Sequence, residues 1–229
     1  MPALEICRRR LTSGVKPSDP ALTAAFGHIR DTTGAQCAFY AAMEEPDIIF
    51  ALGLWPSMDV YHAFELSPEA SSVLAPLNAL SAEEWIEHVP VDNMEELPLT
   101  APIMTISRCF FNESGDHVEK YLQQNDSPFP VVKEHIKPWS YVAYWAVDST
   151  DACHKRMVFG GWRSKKHHQQ LASKLKKECE FFEEIPLHYD PKTQHRHCWN
   201  LEKETNPEMF ELLDGFVHQK PGEAPAVAQ

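Results

Sequence analysis

The sequence predicts an α+β protein built from two consecutive βαββαβ units, and three observations predict it. First, Phe50-Ala51-Leu52-Gly53-Leu54-Trp55-Pro56-Ser57 is matched by Met157-Val158-Phe159-Gly160-Gly161-Trp162-Arg163-Ser164, at an offset of 107. Each is an apolar run, a Gly-x-Trp-x-Ser step and the start of a helical stretch. Second, Leu4-Glu5-Ile6-Cys7-Arg8 is matched by Met104-Thr105-Ile106-Ser107-Arg108, at an offset of 100. Two matches in the same order, with offsets that differ by a small insertion, point to a tandem duplication. Third, each half reads as the same succession of strands and helices.

In the first half, residues 3–11 read as a strand. A helix follows over 20–32, with Asp19 as N-cap and Pro20 at its first position. Residues 35–43 and 48–55 are apolar and strand-like, and the polar turn Glu44-Glu45-Pro46-Asp47 makes them a hairpin. Ser57 caps a helix from 58, with Asp59 at its positive end, and a strand centred on Trp85-Ile86-Glu87-His88 covers 82–90. The second half gives a strand at 102–111, a helix at 115–124 and strands at 140–147 and 154–162. A helix capped by Ser164 then runs to about 184, and a strand covers 194–201. The Pro-rich stretch 90–102 reads as the linker. The expected organisation is therefore a unit over 1–99, a unit over 100–205 and a tail over 206–229 holding one short helix at 207–217.

The order β-α-β-β-α-β is the ferredoxin-like unit, a four-stranded sheet with helices on one face. Strands such as 48–55 are apolar on both sides, so the other face needs a cover as well. In a duplicated chain the sheet of the other half supplies it. The fold class is thus tandem ferredoxin-like repeats that close an α/β barrel within one chain.

Composition removes several function classes. The 229 residues carry 21 Lys+Arg against 33 Asp+Glu, a net charge of −12, which argues against nucleic-acid or anionic-membrane partners. No run approaches the ~20 apolar residues of a membrane span. Met1-Pro2-Ala3-Leu4-Glu5 does not open a secretory leader, so a cytoplasmic protein is expected. Six widely spaced cysteines then read as reduced thiols and not as zinc pairs. No dinucleotide, Walker, kinase or GxSxG motif is present.

The stretch Trp55-Pro56-Ser57-Met58-Asp59-Val60-Tyr61-His62-Ala63-Phe64-Glu65-Leu66-Ser67-Pro68 resembles the dimeric α/β-barrel superfamily, in its antibiotic-biosynthesis-monooxygenase-like (ABM) branch. The second half keeps Trp162 and Ser164, has Gln169 at the place of His62 and lacks the Ser-Pro step. The resemblance implies a ligand pocket between each sheet and its helices. It also implies a range of activities: cofactor-independent monooxygenases, polyketide cyclases and haem-handling enzymes.

Twelve histidines supply the candidate chemistry. His88, near the end of a strand, is a natural general base if its face looks at the helices. Tyr61 and His168 correspond at the offset of 107 and both point inward at helical spacing. These three are the expected catalytic residues. Trp55, Trp162, His62, Tyr40 and Tyr144 complete the expected substrate site. His195 and His197 alternate on one strand face, a geometry that suits a metal with His188, Asp190 or His167 as third ligand. Without a metalloenzyme helix motif, the reading is nevertheless of no metal and no cofactor. Arg163, Lys165 and Lys166 crowd the positive start of a helix and read as a solvated basic patch, with an anion that would resolve the conflict as the alternative. The expected function is a cofactor-independent tailoring enzyme acting on an aromatic or polyketide-like small molecule, as a monomer or homodimer. The alternative is a non-catalytic ligand-binding or stress-responsive barrel.

Overall fold

Runs of side chains that are apolar on both faces drive eight segments into one antiparallel sheet. The computed structural model describes residues 1–111, 129–147, 154–178 and 190–203. In chain order the elements are β1 (Ala3–Leu11), α1 (Pro20–Thr33), β2 (Gln36–Ala42), β3 (Ile48–Trp55), α2 (Met58–Glu65), α3 (Pro68–Leu80) and β4 (Ser81–Pro90). A short 3-10 turn (Met94–Glu96) leads into β5 (Ile103–Phe110), α4 (Phe129–Ile136), β6 (Tyr141–Trp145), β7 (Lys155–Trp162), α5 (Lys165–Glu178) and β8 (Gln194–Asn200).

The strands lie in the order β4-β1-β3-β2-β8-β5-β7-β6, so each half of the chain contributes four neighbours in the same internal order. The registers also correspond. Ala3 faces Trp55 between β1 and β3, and Ile103 faces Trp162 between β5 and β7. Leu4 faces Val89 between β1 and β4, and Met104 faces Cys198 between β5 and β8.

The expected face-to-face packing of two separate sheets is not how the halves meet. Tyr40, Ala41 and Ala42 of β2 pair with Asn200, Trp199 and Cys198 of β8, which merges the halves into a single sheet. The pairing satisfies the backbone groups that each edge would otherwise leave open. At the far ends β4 and β6 approach, and the Val147 amide donates to the His88 carbonyl at 2.8 Å, so the sheet curls back toward itself. Leu4, Ile6, Tyr40, Phe50, Met104 and Phe159 fill the enclosed side, a core drawn from both halves. The outer side packs on the helices through a second cluster that includes Leu22, Phe26, Phe39, Leu77 and Trp199.

Other expectations are refined. The helix beginning at 58 is two helices: Ser67 breaks it, accepts from the Ala70 amide and caps α3, whose first residue is Pro68. The stretch read as a linker, 90–102, packs its apolar residues against the sheet and leaves its polar ones exposed. Met94 and Leu97 are buried in the inner core, and the turn between them carries an Asn93–Glu96 capping box. Helix α4, which the sequence reading passed over, buries Val132 and Ile136 on the outer side. The helices expected at 115–124 and 207–217, and the end of α5 beyond Glu178, lie outside the described residues. Cys7, Cys37, Cys109 and Cys198 are free thiols. Among the described residues no helix is long and apolar enough to cross a membrane.

One charge cluster sits inside the curl. Glu87 is 1% exposed, accepts from Arg108 Nε at 2.8 Å and pairs with Lys155 Nζ at 2.8 Å. A carboxylate this deep is tolerated only because two cations hold it. Glu87→Ala removes the carboxylate that both cations share, and urea denaturation is expected to show a loss of about 3–5 kcal/mol.

Candidate active site

Strand alternation sends Glu5, Cys7 and Arg9 from β1 to the helix side, opposite to Leu4, Ile6 and Arg8. Glu5 faces His88 across β4 and Gly53 across β3. With no side chain at Gly53, space opens beside Glu5. The result is a hollow of about 140 Å³ between the sheet and the helices, lined by Glu5, Cys7, Arg9, Gly53, Trp55 and Tyr61 among others. That is close to the cavity of about 150 Å³ that holds one benzene ring elsewhere.

The wall is aromatic. Trp55 meets Tyr61 edge-on at 5.5 Å between centroids and lies 5.2 Å from Phe64. The Trp55 indole N–H donates to Glu5 Oε2 at 2.7 Å. Desolvation pushes the Glu5 carboxyl up to about 7, with Glu83 and Glu65 adding to it, against the lowering effect of the Trp55 hydrogen bond and Arg9. Burial, followed by the charge of Glu5, raises the Tyr61 phenol above its ordinary value, so it stays protonated. Arg9 is 4% exposed and fixed by Ser81 Oγ at 2.9 Å, which leaves a pinned cation on the lining.

The expected residues separate into those that reach this hollow and those that do not. Trp55 and Tyr61 line it. His88 is on the helix-facing side, its ring 4.2 Å from that of Tyr61, but it is not part of the lining. His62 is exposed, its side chain 57% accessible and 3.6 Å from Glu65. Tyr40 lies in the inner core, on the opposite face of the sheet. Tyr144 packs against that same core and donates to Glu96 Oε2 at 2.8 Å. The residue that sequence reasoning missed is Glu5. The signal was there: an acidic residue within an apolar strand, on a face that the fold must cover.

The C-terminal half places different groups at corresponding positions. Thr105 faces His197 across β8 as Glu5 faces His88 across β4. Trp162 donates to Thr105 Oγ1 at 3.0 Å, where Trp55 donates to Glu5. Gly160 faces Thr105 as Gly53 faces Glu5, yet here the space is taken: a Cβ on Gly160 would lie 2.9 Å from both Thr105 Oγ1 and Tyr141 Cδ2. His168, in the first turns of α5, stacks 4.0 Å from Trp162, and its Nδ1 is 2.8 Å from His197 Nε2.

His195 and His197 do share a face, and their neighbour is His168 and none of the three residues first considered. His167 turns toward Trp162 at 6.1 Å, the Asp190 side chain accepts from the Lys192 amide, and His188 lies outside the described residues. At the basic start of α5 a protein carboxylate, Glu44, meets Lys165. Lys165 Nζ contacts its Oε1 at 2.8 Å, and His197 Nδ1 bonds the same oxygen at 2.7 Å. Partial burial opposes ionisation of Glu44, but the bonds from His197 and Lys165 hold it down at about 2.

Comparison with known proteins finds likeness in fold and not in sequence. No protein-family profile matches the chain, and no curated protein matches it in sequence. An anthrone oxidase-like protein superposes with a TM-score of 0.59 at 9% identity, over 86% of this chain and 91% of that one. A chlorite dismutase variant from Candidatus Nitrospira defluvii gives 0.57 at 10% identity, over 95% and 96%. A protein described as a candidate monooxygenase from Lactobacillus acidophilus gives 0.54 at 8% identity, over 87% and 94%. These likenesses place the chain in the ferredoxin-like α/β-barrel fold.

The two glycines give a direct test of where the open space lies. Gly53→Ala meets only Trp55 Nε1 at 3.8 Å and is expected to leave the melting temperature unchanged or raised. Gly160→Ala forces contacts of 2.9 Å and is expected to cost about 1–3 kcal/mol by thermal or urea unfolding.

Proposed function

We propose that the chain is a small-molecule enzyme of the oxygenase kind, that its working site is the N-terminal hollow, and that Glu5 is its general base. The observation that carries this reading is a carboxyl held at about 7 on the wall of an apolar, ring-sized hollow. A base with a pKa near neutrality takes a proton efficiently while still being available in the ionised form. The role given to His88 in the sequence reading passes to Glu5, because Glu5 lines the space and His88 stands behind Tyr61.

The substrate fitting this space is a single phenolic or enolisable ring, smaller than a fused polyketide. Glu5 takes a proton from it, leaving an enolate or phenolate. The pinned Arg9 cation and the protonated Tyr61 hydroxyl stabilise that anion in a site from which Trp55 and Phe64 exclude water. Dioxygen adds at the activated carbon, and loss of water leaves a carbonyl, so a CH2 group and O2 become C=O and H2O. The choice of oxygenation over cyclisation follows fold neighbours described as an anthrone oxidase-like protein and a candidate monooxygenase. No organic cofactor enters this scheme. A porphyrin is several times larger than the hollow, so the hollow does not fit haem.

Oxygen uptake with a panel of monocyclic phenols and hydroquinones tests the reading. Wild-type turnover is expected to rise with pH through about 7 as Glu5 ionises. Glu5→Gln is expected to lower it by roughly 10²–10⁴-fold and to abolish that pH limb. Stability moves the other way. Folded Glu5 keeps its proton up to about 7, whereas the unfolded chain loses it near 4.5. Its contribution is therefore full below 4.5 and falls by about 3 kcal/mol as pH rises through 7. At pH 8 Glu5→Gln should melt at the wild-type temperature or above it. A variant that keeps full turnover overturns the assignment, and binding of a ring without turnover by the wild type favours the non-catalytic barrel.

A further inference from the structure

The C-terminal half carries a second site. His168, His195 and His197 each offer a ring nitrogen, and these nitrogens all lie within 4.8 Å of one another. Two strand residues and one helix residue converge, because β8 presents His195 and His197 on the face that α5 covers. We propose that these three imidazoles bind one divalent transition-metal ion of borderline softness, of the zinc or cobalt type, outside the N-terminal hollow.

The surrounding bonds favour this reading over a chance cluster. His197 Nδ1 bonds Glu44 Oε1 at 2.7 Å, which directs Nε2 at the other rings. Glu44 is itself held by Lys165 Nζ at 2.8 Å and by the His197 amide at 3.0 Å. His195 Nδ1 is 2.6 Å from Ser107 Oγ, so its Nε2 is also the free nitrogen. A carboxylate or hydroxyl on the far nitrogen is what fixes the tautomer and orientation of metal-binding histidines. Three neutral imidazoles suit a borderline ion better than a hard one. Zinc–nitrogen bonds of about 2.0–2.1 Å in a tetrahedron place the nitrogens about 3.4 Å apart. That value lies between the 2.8 Å separating His168 from His197 and the 4.8 Å limit of the set, so small ring rotations suffice. His195 reaches the surface, which leaves the ion an open fourth position.

The corresponding positions in the N-terminal half, by pairing register, are Ile86 for His195 and His88 for His197, with Tyr61 for His168 by the sequence offset. That half lacks the three-nitrogen set, so the described residues offer a place for one ion. The test uses the untagged full-length chain, stripped with a chelator and titrated with Zn²⁺ and with Co²⁺. One equivalent should bind, with a visible cobalt spectrum typical of nitrogen ligands and a rise in melting temperature. Glu44→Gln should weaken binding by roughly 10–100-fold. His195→Ala should abolish the cobalt spectrum with an unchanged circular dichroism spectrum, since its ring is at the surface. His28→Ala, at an exposed position of α1, should bind as wild type, and so should Glu5→Gln. The proposal is overturned if the stripped protein takes up neither ion at micromolar concentration. It is also overturned if stoichiometric binding survives His195→Ala.

Discussion

A slip of one residue between β1 and β3 would turn Glu5, Cys7 and Arg9 into the barrel and bring Leu4 and Ile6 out under the helices. The register that prevents this is fixed by the apolar content of both faces, since Leu4, Ile6, Phe50 and Leu52 fill the enclosed core while Ala51 and Phe39 pack under α1 and α3. The lining of the hollow depends on that parity. It sets Glu5 opposite both His88 and the bare backbone of Gly53, and the corresponding registers of β5 set Thr105 opposite His197 and Gly160.

With the frame held constant, the two halves differ in a handful of side chains. Glu5 and Tyr61 of one half stand where Thr105 and His168 stand in the other. Where Tyr141 and Trp162 crowd Gly160, the half with Gly53 keeps an empty volume and a carboxyl that is reluctant to ionise. Where Ile86 lies beside Cys7, the other half has His195 beside Ser107. One scaffold thus carries a hollow with a carboxyl on its wall on one side and a convergence of nitrogens on the other.

Much of this was legible in the residues. The Gly-x-Trp-x-Ser pairs located β3, β7 and the helices after them, and the offset of 107 equates Tyr61 with His168 and Trp55 with Trp162. Local periodicity could not show which face of β4 meets the helices, because that depends on pairing with β1 and on the irregularity between Arg8 and Arg9. Glu5 was passed over because the search for a base followed the histidines, although a lone acid in Ala3-Leu4-Glu5-Ile6-Cys7 is the stronger anomaly. His168 was not joined to His195 and His197 because that contact is made only when α5 folds over β8. An alignment of β8 with β4 sets His197 on His88 but leaves out His168.

Glu44 follows β2, in the first half of the chain, yet its carboxylate orients His197 in the second. The loan crosses the seam where β2 meets β8; where β4 meets β6, a backbone bond from Val147 to His88 makes the junction. Two identical subunits would have to exchange such favours equally, each lending what it receives. Joined on one polypeptide, the halves are released from that reciprocity, and donor and recipient can specialise without a partner to match.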